Sequence, residues 1–165
     1  MENKIYDTLK RCVDNGGVAG ANVLVIKDGA EKAYCQYGYR DIENKVQMSR
    51  DTIFRLYSQT KPVTAAAVML LVSQGKLDLG AWLSDYMPEY DKSFVNIDGK
   101  RYPAHKHITV RDLMNMTSGI PYPDESTEGG RQSGTIFWKV GESLYTDAPI
   151  STNEFAKMMS EVDLC

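Results

Sequence analysis

No run of lysine or arginine occurs in this 165-residue sequence, and 19 basic against 22 acidic residues leave a formal charge of -3. That balance lacks the electrostatic footprint of a nucleic-acid binder or of a protein held on an anionic membrane. A small molecule or a peptide is the expected partner. No apolar stretch approaches the roughly 18 residues of a membrane-spanning helix. The opening segment MENKIYDTLKRCVDNGG has neither an apolar signal core nor a cleavage site, so the expected location is the cytoplasm. The three cysteines, Cys12, Cys35 and Cys165, are odd in number and far apart, which argues against a disulfide framework and a Cys-x-x-Cys metal site. They are expected to be reduced and structural. The two histidines, His105 and His107, lie in a loop without a third ligand of suitable spacing, so no metal or cofactor is expected. No internal repeat is present, and the length suits one domain with its own core.

Ile5, Leu9, Cys12 and Val13 recur at helical spacing before Gly16-Gly17, predicting a helix over about 3 to 15. Two β-rich runs flank Asp28-Gly29, a dipeptide that accepts positive φ, and predict an antiparallel hairpin. A short β-rich run, Thr52 to Leu56, leads to Tyr57-Ser58. From Pro62 the segment PVTAAAVMLLVSQG reads as a helix ended by Gly75, apolar on nearly every side and so expected to be buried. KLDLGAWLSDYMPEY is a short helical or irregular stretch stopped at Pro88, with Trp82, Tyr86 and Tyr90 read as core and rim. DKSFVNIDGKRYPAHKH reads as a loop or small hairpin. Thr109 with Asp112, and Ser151 with Glu154, have the spacing of capping boxes and open two further helices, the second expected to run to the chain end. The Gly-, Pro-, Ser- and Thr-rich region from about 122 to 150 reads as a long loop.

Ser-x-x-Lys occurs twice, as Ser58-Gln-Thr-Lys61 and Ser73-Gln-Gly-Lys76. Roughly one chance match to so short a pattern is expected in a chain of this length, so context must separate the copies. An activated serine needs a base within hydrogen-bond reach, and a lysine three residues along a helix lies on the same face. It also gains from a helix N-terminus, where free N–H groups and the dipole favour developing negative charge. Ser58 meets both conditions, and apolar surroundings are expected to desolvate Lys61 as a lysine base requires. Ser73 lies in the last turn of the same helix, where the dipole has the opposite sign and Gly75 breaks the turn towards Lys76. The second copy is therefore assigned to chance.

The residues around the first copy carry more than the motif. TIFRLYSQTKPVTAAAVMLLVSQGKLDLGAWLSDYMPEY followed by ITVRDLMNMTSGIP resembles the serine β-lactamase-like family of class C β-lactamases, DD-peptidases, D-aminopeptidases and related esterases. The resemblance runs in order from roughly Gly20 to Pro121. It implies an α+β fold, with a partial antiparallel sheet packed on helices and part of an all-helical subdomain. Residues 1–79 would belong to the α/β part and 80–165 to the helical subdomain. It further implies that Ser58 is the acylated nucleophile, Lys61 its base or proton shuttle, and the Ser58 backbone N–H half of an oxyanion hole. Tyr122, after the Ser-Gly-Ile-Pro turn, is a candidate substrate-binding residue.

Two motifs of that family have no clear counterpart. No Lys-Thr-Gly or His-x-Gly sequence occurs. Tyr145-Thr146-Asp147 is a poor Tyr-x-Asn, because it precedes the Ser151 helix rather than following it. The chain thus resembles the first part of a larger fold. Two functions follow: acyl transfer from an amide, lactam or ester carbonyl through Ser58, or a catalytically inactive remnant or assembly module that exposes a sheet edge for pairing with another chain.

Overall fold

Ile5, Leu9 and Val13 share one side of helix α1, Glu2–Asp14, in the computed structural model, which describes residues 2–165. The chain divides into two units, one up to Tyr57 and one from Ser58 to Cys165. In the first, α1 packs on strand β2, Ala30–Asp41, which lies between β1, Gly20–Lys27, and β3, Val46–Gln47, in an antiparallel sheet of order β1-β2-β3. Asp28 at φ 54° and Gly29 at φ 72° make the predicted turn. Alternation along β2 buries Ala33 and Cys35, with Leu9 and Met48 completing this small core. At the edge of α1, Tyr6 meets Tyr37 edge-on at 5.7 Å. Gly38, at φ 86°, sits where a Cβ would strike the Ala19 carbonyl, so only glycine lets the two segments cross there. The opposite face of β1 carries Leu24 and Ile26 in solvent.

The run Thr52 to Leu56 forms no strand, contrary to its composition. β-propensity records how well a residue fits a paired surface, and no described strand pairs with this one.

The second unit opens with helix α2, Thr60–Ser73, which ends at Gly75 with φ 65°. Its expected burial is not found: α2 contains no buried residue, and Val63 and Leu70 are 66% and 58% exposed. Composition indicates that such a helix gains by being covered, and the rest of the second unit does not supply the cover.

The core of this unit is built from Leu83, Tyr90 and Ile108, with Met87, Ile120 and Leu164 packed against them. Leu83 and Tyr90 come from two 3-10 turns, Leu83–Asp85 and Pro88–Tyr90, so Pro88 starts a turn as well as stopping one. Trp82 and Tyr86 stay half exposed at the rim. Strands β4, Phe94–Ile97, and β5, Lys100–Pro103, form a hairpin about Asp98-Gly99. Helix α3, Val110–Met114, and helix α5, Thr152–Met159, both open on the predicted capping boxes. In α3 the Thr109 hydroxyl and N–H both donate to the Asp112 carboxylate, holding it below the usual aspartate range. α5 stops short of the chain end, and Leu164 beyond it bridges to Val95.

The long loop expected from 122 to 150 is instead largely a helix, α4, Glu128–Ser143, capped by the Thr127 hydroxyl. Its glycines serve close packing. A Cβ on Gly129 would overlap the Asp163 carbonyl, and Ser133 is fully buried. Phe137 meets Phe155 of α5 edge-on at 5.2 Å. Among the described residues no helix is long and apolar enough to cross a membrane.

Candidate active site

Ser58 stands in a 3-10 turn, Tyr57–Gln59, that runs directly into α2. Lys61, in the first turn of that helix, is therefore brought back over it by local geometry alone. Its Nζ donates to Ser58 Oγ at 3.0 Å. This is the separation a proton transfer between the two groups requires. The turn is entered through Tyr57, whose φ of 47° is unusual for a bulky residue. Tyr57 is 76% exposed, so the conformation is not compensated by burial of its ring. A strained residue immediately before a reactive side chain fixes the direction in which that side chain leaves the backbone.

Lys61 itself is exposed, so the apolar enclosure expected around it is not provided by the rest of its own unit. The cause is the same as for α2 as a whole. The contrast with the second motif is clear: Ser73 Oγ donates to the Leu70 carbonyl at 2.8 Å, a bond spent inside its own helix.

Tyr122 comes close to the pair, its ring centroid 5.9 Å from Lys61 Nζ. An aromatic face attracts an ammonium at this range. The approach depends on how the Ser118–Tyr122 segment is held. The Cys165 N–H donates to the Gly119 carbonyl at 2.8 Å, and the buried Ser133 hydroxyl of α4 donates to the Pro121 carbonyl at 3.0 Å. Ser133 escaped sequence reasoning because the helix that carries it was read as a loop. From Tyr122 an apolar groove of about 530 Å³ extends past Leu113 and Met87 to Phe137 and Phe155.

The other candidates lie elsewhere in the same unit. Tyr145 is 94% exposed in the turn after α4. His107 stacks on Trp82 with ring centroids 4.1 Å apart and planes 15° from parallel, a packing role that needs no metal. Among the described residues no group of three His, Cys, Asp or Glu side chains is arranged to hold a metal ion.

Comparison with known proteins extends the geometry. A profile of the Beta-lactamase family matches residues 5–148. Protein Rv1367c of Mycobacterium tuberculosis is 38% identical over 120 residues, covering 70% of this chain and 30% of its own length. Among solved structures, EstCE1, a hydrolase with promiscuous acyltransferase activity, superposes with a TM-score of 0.76 at 25% identity over 98% of this chain and 40% of its own. The D-amino acid amidase of Ochrobactrum anthropi SV3 gives a TM-score of 0.67 at 25% identity over 99% of this chain and 38% of its own. The chain thus spans less than half the length of each of these relatives.

Proposed function

Because this chain belongs to the Beta-lactamase family, a family with hydrolases among its solved neighbours, we propose that it carries the nucleophile and base of a serine acyl-transfer hydrolase. The observation that carries this reading is the 3.0 Å contact between Lys61 Nζ and Ser58 Oγ at the head of α2. In the proposed reaction a neutral Lys61 accepts the Ser58 hydroxyl proton as Oγ bonds to the carbonyl carbon of an amide, lactam or ester. The carbonyl oxygen becomes an oxyanion, stabilised by the Ser58 N–H and by the positive end of α2. Collapse breaks the bond to the leaving group, which takes the proton from Lys61. Water then adds to the acyl-Ser58 ester, gives a proton back to the lysine, and releases the acid as Ser58 recovers its own. Tyr122 flanks Lys61 on the substrate side. Residues 80–165 act as part of the helical subdomain that bounds the cleft.

The solved neighbours include a hydrolase with promiscuous acyltransferase activity and a D-amino acid amidase, which supports acyl transfer as the reaction class. Labelling with a fluorophosphonate tests the reading: the chain is expected to take one label, and Ser58→Ala none. Equal labelling of folded wild type and variant would remove Ser58 from the chemistry.

A second reading has its own observation. Lys61 is exposed, and β1 pairs on one side only while Leu24 and Ile26 face solvent. On that reading the chain is an inactive binding or assembly module that adds a strand from another chain at the β1 edge. Absence of label from folded protein, together with self-association that Ile26→Lys abolishes, is its expected signature.

A further inference from the structure

We propose that Ser133 of α4 is a positioning residue: through the Pro121 carbonyl it sets the ring of Tyr122 against Lys61, and so governs how readily Ser58 is acylated. The inference deepens the acyl reading and rests on it for its chemical consequence.

Three side chains of α4 carry a hydroxyl, and two of them spend it on their own helix. Thr135 donates to the Arg131 carbonyl at 3.2 Å and Ser143 to the Val140 carbonyl at 2.7 Å. This is the usual arrangement for serine or threonine inside a helix. Ser133 instead donates across to the Pro121 carbonyl at 3.0 Å, and it is fully buried. A buried hydroxyl aimed out of its own helix holds what it binds, because separating the pair leaves a carbonyl without its donor away from water.

The segment it holds is stiff. Pro121 and Pro123 have fixed φ, and Tyr122, preceding Pro123, is biased to extended backbone. A displacement of the Pro121 carbonyl therefore carries the Tyr122 ring with it. The same face of α4 receives the rest of the segment: a Cβ on Gly130 would strike the Asp124 carbonyl, one on Gly129 would press on Pro121, and the Asp124 N–H donates to the Gly130 carbonyl at 3.2 Å.

At the far end of this chain of contacts the Tyr122 ring centroid lies 5.9 Å from Lys61 Nζ. Lys61 is a long, exposed side chain with many rotamers, and only those that reach Ser58 Oγ can take its proton. An aromatic face at this range favours such a rotamer. Ser133 thus acts on the acyl site through Tyr122.

The experiment uses the full chain. With lysine labelled by 13C, the Lys61 Cε–Hε resonance, assigned by its loss in Lys61→Arg, reports the ring current of Tyr122. Tyr122→Leu should shift it, and Ser133→Ala should shift it in the same direction. The rate of fluorophosphonate modification at Ser58 reads the chemical consequence. Ser133→Ala should lower it by about tenfold, the scale on which a small misplacement of a reacting group is felt. Ser133→Cys, similar in size and a weaker donor, should lower it less, and it carries both readouts if the alanine variant does not fold. Tyr122→Leu should slow the reaction as well, and adding Ser133→Ala to it should change the rate by less than about twofold, since residues that act in series are not additive. Ser151→Ala, which removes the α5 cap, controls for lost stability and should leave both readouts in place. A Lys61 resonance that the Ser133 variants leave unmoved overturns the proposal. So does an unchanged rate, or a Ser133→Ala effect that persists in full beside Tyr122→Leu. Absence of Ser58-dependent label from the wild type counts against the acyl reading alone, and the resonance then decides whether Ser133 places Tyr122.

Discussion

Arg101, half in solvent on β5, holds the almost fully buried carboxylate of Asp163, its Nε 2.5 Å from Oδ1. Asn96 and Gln132 also donate to that carboxylate, and the Asp163 N–H donates to Gln132 at 2.7 Å. The side chain thus ties β4, β5 and α4 to the segment after α5. Asp163→Ala should cost about 3 kcal/mol in urea unfolding, because it strands several donors at once. Arg101→Ala should cost as much, about 3 kcal/mol or more, since both remaining amides bind Oδ2 and the buried Oδ1 loses its partner and its counter-charge.

Lys61→Met tests the proposed base without disturbing the fold. Its side chain is exposed, so the melting temperature should stay within a degree or two. The rate of fluorophosphonate modification at Ser58 should fall by about 100-fold or more, the usual worth of a positioned base. An unchanged rate would assign the proton to another acceptor.

Tyr57 offers a test of strain. Glycine removes the penalty of positive φ but adds freedom to the unfolded chain, so Tyr57→Gly should leave stability within about 1 kcal/mol of wild type. Tyr57→Val has a β-branched side chain in the same conformation and should cost about 1–2 kcal/mol. Thermal melts compare the two, and an equal loss of stability in both variants would show that the ring, not the backbone, matters.

The Asp112 capping box predicts a pH dependence of known sign. Its folded value lies below the usual one, through the Thr109 hydroxyl and N–H. The stabilisation is therefore present above the unfolded value of about 4 and is lost as pH falls through the lower folded value. The stability difference between wild type and Asp112→Asn should be full, about 1 kcal/mol, near neutrality and shrink towards zero by about pH 2. Denaturant melts at several pH values measure it.

Gly129→Ala should destabilise the second unit by about 1–3 kcal/mol, because the new methyl meets the Asp163 backbone rather than a side chain that can swing away. This is also where the sequence was least legible. Glycine and serine at the start of α4 look like loop residues, and only the backbone passing beside them explains their size. The capping boxes at Thr109 and Ser151, the turn at Asp28-Gly29, and the Ser58–Lys61 contact were all readable, since each depends on residues a few positions apart. The turn before Tyr122 suggests a substrate-binding residue, but neither its approach to Lys61 nor its support through Ser133 is legible, because the latter lies in a helix whose composition reads as a loop. The exposure of α2 could not be read from its own residues, because burial is a property of what surrounds a helix.

The bridge between Val95 and Leu164 joins segments nearly 70 residues apart in sequence. Closing a loop of that span is entropically unfavourable until the contacts at both ends can form together. During synthesis the β4–β5 hairpin must therefore wait, with its side of the core open, until residues 163 and 164 have left the ribosome. The second unit is expected to fold as a whole rather than helix by helix, leaving its apolar surfaces available to chaperones until then.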